Sequence, residues 1–165
     1  MMMVYILRHG VAEDAEPGGD DRSRRLTPEG RAKMQKATAG MRALGLEFDV
    51  ILTSPLPRAA ETAAIVAAAC GKEPAPRELP ALAPGATADV VPALRPFAHR
   101  SHVMLVGHEP GLSQLASLLL TGSTDAVALD LKKGGCIAIE LAKLTPPTGA
   151  TLCWALTPKQ LRQLG

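Results

Sequence analysis

Met3-Val4-Tyr5-Ile6-Leu7-Arg8-His9-Gly10 runs apolar for five residues and then turns polar at once. A short, unbroken apolar run of this kind predicts a strand buried on both faces, as in a parallel sheet covered on each side. Two further stretches repeat the pattern. Asp49-Val50-Ile51-Leu52-Thr53 ends in Ser54-Pro55-Leu56-Pro57-Arg58, and Val103 to Val106 ends in Gly107-His108-Glu109-Pro110. The intervening segments carry helix signals. Thr27-Pro28-Glu29 supplies an N-cap, a proline at the first helical position and an acid in the first turn, which predicts a helix running to about Leu44, before Gly45. An Ala-rich helix is expected from about Arg58 to Cys70, another from Ala88 to Phe97 despite Pro92, and a third over Leu112 to Leu120. A short strand is expected near Arg77 to Leu79. Later strands are expected over Ala126–Leu131, Cys136–Leu141 and Thr151–Leu156. Strands alternating with helices predict a three-layer α/β/α sandwich with a mostly parallel central sheet. Length and the lack of a linker predict one domain over residues 1–165.

In open α/β sheets, ligands bind beyond the carboxyl ends of the strands. All three buried strands end in polar loops, so Arg8-His9, Ser54 to Arg58 and His108-Glu109 are expected to converge on one place. The Gly- and charge-rich stretch from Val11 to Arg25 is long enough to be a functional loop.

Composition removes several function classes. Eighteen basic and sixteen acidic residues leave a net charge of +2, too weak a bias for a nucleic-acid partner, and aromatics are only 2%. Three cysteines without a Cys-x-x-Cys pair argue against a disulfide framework and a zinc site, and point to a cytoplasmic address. Arg8 and His9 interrupt the apolar start before a signal-peptide core forms, and no run suits a membrane span. His99 and His102 read as surface residues at a helix end rather than as a metal pair, and Gly18-Gly19 lacks the pattern of a phosphate-cradling loop.

Phosphoryl transfer depends on positioning and on neutralising charge over three oxygens. Arg8 and Arg58 offer planar forks that match that geometry, His108 a further donor, and His9 a ring nitrogen able to form a covalent phosphohistidine. With the arginines supplying positive charge, neither a metal nor a cofactor is expected. Each residue also has a plain structural reading: a histidine at a strand end can be a satisfied loop residue, and an arginine at a helix start can be surface.

Four elements resemble, in order, those of the histidine phosphatase (phosphoglycerate-mutase-like) superfamily. They are Leu7-Arg8-His9-Gly10, Leu26-Thr27-Pro28-Glu29-Gly30, Ser54-Pro55-Leu56-Pro57-Arg58-Ala59-Ala60-Glu61-Thr62-Ala63 and Val106-Gly107-His108-Glu109-Pro110. Within it the chain is most similar to the SixA-type phosphohistidine phosphatases, since 165 residues leave little room for extra covering helices. The resemblance implies His9 as nucleophile, with Arg8, Arg58 and His108 completing a phosphate pocket. Arg24 matches a basic position in several such sequences; it either binds phosphate or belongs to the solvated run Arg22 to Arg25. Glu109 is a candidate general acid, as are Asp14 and Glu78, and its alternative is a helix N-terminal acid complementing the dipole. The expected substrate is a phosphohistidine-bearing protein at an open, shallow site. The alternatives are small phosphate esters, or a catalytically silent module that binds phosphorylated partners.

Overall fold

The computed structural model describes all residues 1–165. Six strands form one sheet: β1 (Met2–Arg8), β2 (Val50–Thr53), β3 (Arg77–Glu78), β4 (His102–Gly107), β5 (Cys136–Lys143) and β6 (Thr148–Leu156), ordered β3-β2-β4-β1-β5-β6. The first four run parallel, while β5 and β6 run antiparallel to their neighbours. The helices are α1 (Pro28–Ala43), α2 (Pro57–Cys70), α3 (Thr87–Ala93), α4 (Gly111–Thr121) and α5 (Pro158–Leu164). This is the mostly parallel α/β sandwich that the apolar runs imply.

Alternate side chains of each strand feed two separate cores. Val4, Ile6, Leu52, Leu105 and Ile139 pack towards α3 and α4, and Tyr5, Leu7, Ile51, Met104 and Val106 towards α1, α2 and α5. Phe48 is fully buried edge-on against Tyr5, one of few aromatic contacts in a core otherwise filled by Ala, Leu, Val, Ile and Met. Small residues bring the helices close. A Cβ at Gly40 would sit 1.8 Å from the carbonyl oxygen of Leu161, so α1 and α5 pack almost backbone to backbone. A Cβ at Gly30 would meet the carbonyl oxygen of Val11 at 2.1 Å. Glycine at the end of Leu26–Gly30 therefore lets the start of α1 press on the chain leaving β1.

Three expectations change. The segment 126–131 forms no strand. Its carbonyls go to side chains instead: Leu131 O accepts from Arg8 Nη1 at 3.0 Å and Leu129 O from Ser113 Oγ at 3.3 Å. The helix expected over 88–97 stops at Ala93, just beyond Pro92, and a 3-10 turn, Arg95–Phe97, carries the chain around Pro96. His102 is not at a helix end. It opens β4 and shares a 3.0 Å hydrogen bond with the Tyr5 hydroxyl.

Candidate active site

The carboxyl ends of β1, β2 and β4 lie side by side, with Arg8 paired to Gly107 and Thr53 to Val106. The next residue of each strand turns into one recess. His9, Arg58 and His108 are each only 5% exposed, and the two imidazole centroids are 5.2 Å apart. The site is therefore recessed, not the shallow surface that the sequence suggested.

Local chemistry fixes each ring. His9 Nδ1 lies 2.7 Å from the carbonyl oxygen of Gly10, which can only accept, so Nδ1 carries the proton and Nε2 keeps a free lone pair. Ser54 is fully buried; its Oγ accepts from Leu56 N–H at 3.2 Å and lies 2.8 Å from His108 Nε2. A buried hydroxyl must place its proton, and His108 Nε2 is the acceptor within reach. This leaves the proton of His108 on Nδ1, which has no partner.

Arg58 sits in the first turn of α2, buried except for its approach to the 13–25 loop. Its Nη1 donates to the main-chain oxygen of Asp21 at 3.0 Å, while its Nε is unpartnered. Arg8, held by Leu131 O, also has an unpartnered buried Nε. Thr62 ties these parts together: its hydroxyl donates to Arg58 O at 2.7 Å and accepts from Gly10 N–H at 3.1 Å. The first turn of α2 is thereby locked to the peptide beside His9.

Arg24 donates through Nε to Glu13 O at 2.5 Å and through Nη1 to Asp21 Oδ1 at 2.8 Å. It reaches the rim of the recess through Asp21. Glu109 lines a cleft beside His108, but its carboxylate is engaged by Ser113. Its Oε1 accepts from Ser113 N–H at 2.8 Å and its Oε2 from the Ser113 hydroxyl, so the carboxylate serves the first turn of α4. Beyond His108 a cleft of about 470 Å³ opens between residues 81–90 and the start of α4, and no lysine or arginine lines it.

Sequence reasoning singled out neither Asp21 nor the roles of Ser54 and Thr62. Both Ser54 and Thr62 fall inside the Ser54–Ala63 element, where the signal lay unassigned.

Both imidazoles are neutral at pH 7. Burial holds His9 down to about 4, partly opposed by its bond to Gly10 O and reinforced by Arg58 and Arg8. Burial, then His9 and Arg58, hold His108 down to about 3. Between these values and the ordinary 6.5, the unfolded chain binds more protons than the folded one. The stability that this gives is complete above about pH 6.5 and is lost as pH falls towards the folded-state values. Urea midpoints measured from pH 7 to 4.5 should fall steeply for the native chain and less for His108→Gln; parallel slopes would remove His108 as a cause.

Residues 4–83 match the family model described as histidine phosphatase superfamily, branch 1. An uncharacterised protein of Picosynechococcus sp. is 36% identical over 165 residues, spanning 97% of this chain and 99% of that protein. Among solved structures, that of the protein histidine phosphatase SixA complexed with tungstate aligns with a TM-score of 0.81 at 25% identity, over 97% of this chain and 99% of the other. The alpha-ribazole phosphatase of Shigella flexneri aligns with a TM-score of 0.77 at 17% identity, over 95% and 97% of the two chains, a likeness of fold alone.

Proposed function

The chain belongs to the histidine phosphatase superfamily, and on that premise we propose that residues 1–165 form one phosphatase domain that dephosphorylates phosphohistidine in proteins through a phosphohistidine on its own His9. One observation carries the reading. Three buried nitrogens, Arg8 Nε, Arg58 Nε and His108 Nδ1, lack partners around a histidine whose Nε2 is free. Unsatisfied buried donors are costly, and the oxygens of a phosphoryl group would satisfy all three. The solved SixA structure that the chain resembles holds tungstate, another oxyanion.

In the first step His9 Nε2 attacks phosphorus in line, the new N–P bond forms, and the bond to the leaving group breaks. Arg8 and Arg58 offset the charge on the equatorial oxygens and neutral His108 donates a hydrogen bond from Nδ1, so the chemistry runs on side-chain charge without a metal. In the second step water attacks phosphorus, the N–P bond breaks, phosphate leaves as the monoanion carrying both of the water's protons, and His9 Nε2 regains its lone pair. A substrate imidazole whose other nitrogen is protonated departs as a neutral ring and needs no acid. That favours phosphohistidine, because Glu109 is already engaged by Ser113. Arg24 adds positive charge at the rim. Two free thiols, Cys70 and Cys136, are buried and no helix is long and apolar enough to cross a membrane; we place the protein in the cytoplasm.

A second reading is hydrolysis of small phosphate esters with an uncharged leaving group, favoured by the cleft of about 470 Å³ beside His108. Assays of the native chain and Glu109→Gln on a phosphorylated histidine-phosphotransfer domain and on an aryl phosphate, without added metal, separate the two. We expect kcat/KM on the phosphoprotein to exceed that on the ester by at least about 10²-fold and to change little in Glu109→Gln. Fast ester hydrolysis that collapses in Glu109→Gln, with an inert phosphoprotein, would establish the ester reading.

A further inference from the structure

Asp21 has no part in the mechanism above, yet it is built into the site. The loop that carries it is closed at its base, where Ala12 bridges to Leu26, Glu13 N–H donates to Arg25 O at 2.8 Å and Arg25 N–H to Glu13 Oε1 at 2.9 Å. Its tip is a 3-10 turn, Asp21–Ser23, capped by Asp20 Oδ1, which accepts from Arg22 N–H at 2.9 Å. The position of Asp21 is therefore set by the fold.

From there one carboxylate meets two guanidinium groups. Oδ1 accepts from Arg24 Nη1 at 2.8 Å, and Oδ2 lies 3.5 Å from Arg58 Nη2. Two oxygens of a phosphoryl group would bridge the same pair of forks. The Arg58 side chain is 6% exposed and that of Asp21 59%, so the cation lies inside and its counter-ion stands at the mouth. Arg58 is costly to bury without an anion. Asp21 meets that need while the site is empty, and a phosphoryl dianion meets it better. Both cannot approach the pair fully, because like charges at such distances repel.

We propose that Asp21 is an internal competitor of the phosphoryl group: its carboxylate occupies the Arg24–Arg58 pair in the free protein, yields it to substrate and reclaims it as phosphate leaves. The idea rests on the phosphatase reading and adds to it a control on product affinity. Asp21→Asn keeps the size and the main-chain bond to Arg58 but loses the charge; Asp21→Ala removes the group altogether.

Calorimetric titration with inorganic phosphate at fixed ionic strength, for the native chain, both Asp21 variants and Arg58→Ala, tests it without reference to turnover. Both Asp21 variants should bind phosphate more tightly, by roughly tenfold, and phosphate should become a correspondingly stronger inhibitor. Arg58→Ala should lose binding. Unchanged or weaker binding in the Asp21 variants would overturn the inference, while loss of binding in Arg58→Ala alone would leave the phosphatase reading standing. Absence of phosphate binding in the native chain and both Asp21 variants would overturn both.

Discussion

Replacing His9 by alanine is expected to lower turnover of a phosphohistidine protein by at least about 10⁴-fold while leaving phosphate binding in place. The scale follows from what is removed. Without His9 Nε2 no covalent intermediate forms, and water must attack a phosphoryl group that nothing activates from that side. The rest of the pocket survives, since Arg8 is held by Leu131 O, Arg58 by Asp21 O and His108 by Ser54. The only side-chain bond lost is the one from His9 Nδ1 to Gly10 O. A circular-dichroism melt run beside the assay separates lost chemistry from lost fold. Near-native turnover by His9→Ala would make His9 a structural residue and leave a phosphate-binding module as the better account.

Arg58 should show the second largest effect. Arg58→Ala is expected to reduce kcat/KM by at least about 10²- to 10³-fold, the scale seen when one preorganised donor to a developing oxyanion is removed. Lysine should not restore it. A lysine amine presents a point charge, whereas the site offers a recess shaped for a planar fork whose Nη1 anchors on Asp21 O while Nε stays free. Stability should respond in a different way. Burial pushes the Arg58 pKa down, so this cation is held at some cost to the fold. Melting temperatures of Arg58→Ala and Arg58→Lys are therefore expected within a few degrees of the native chain. A large loss of stability with activity retained in Arg58→Lys would make the residue a structural ion-pair partner.

The parts of this molecule that rest on local pattern were legible in its residues. Met3–Leu7, Val50–Thr53 and Val103–Val106 each lack a polar face, and each became a buried parallel strand. Thr27-Pro28-Glu29 capped α1 as its chemistry requires, with Thr27 Oγ1 accepting from Gly30 N–H at 2.9 Å. Because the strands end in Arg8-His9, Ser54 and His108, their parallel pairing brings the polar residues together. Helix α5 went unread, although Thr157-Pro158-Lys159-Gln160 holds a full capping box.

What depends on partners far apart in the chain was not legible. Ala126–Leu131 has strand-like residues, but Arg8 and Ser113 take two of its carbonyls and no strand pairs with it. The clasp of Asp21 on Arg58 spans 37 positions, and the bond from Ser54 to His108 spans 54. Nothing in either local sequence announces such a pairing. Glu109 shows the reverse: the helix that follows it in the sequence suggested an N-terminal acid as the alternative to the general acid, and its partner Ser113 lies within the first turn of that helix.

The central claim is a phosphoryl group passing through His9 Nε2, and a single-turnover reaction tests it most directly. A phosphohistidine protein labelled with radioactive phosphate would be mixed with excess enzyme, quenched in base over a time series, and the enzyme mapped by peptide. We predict an acid-labile, base-stable label on the peptide containing His9 that rises before free phosphate and decays as phosphate appears. Phosphate released with no label on the enzyme at any time, or a label confined to the His108 peptide, would contradict it.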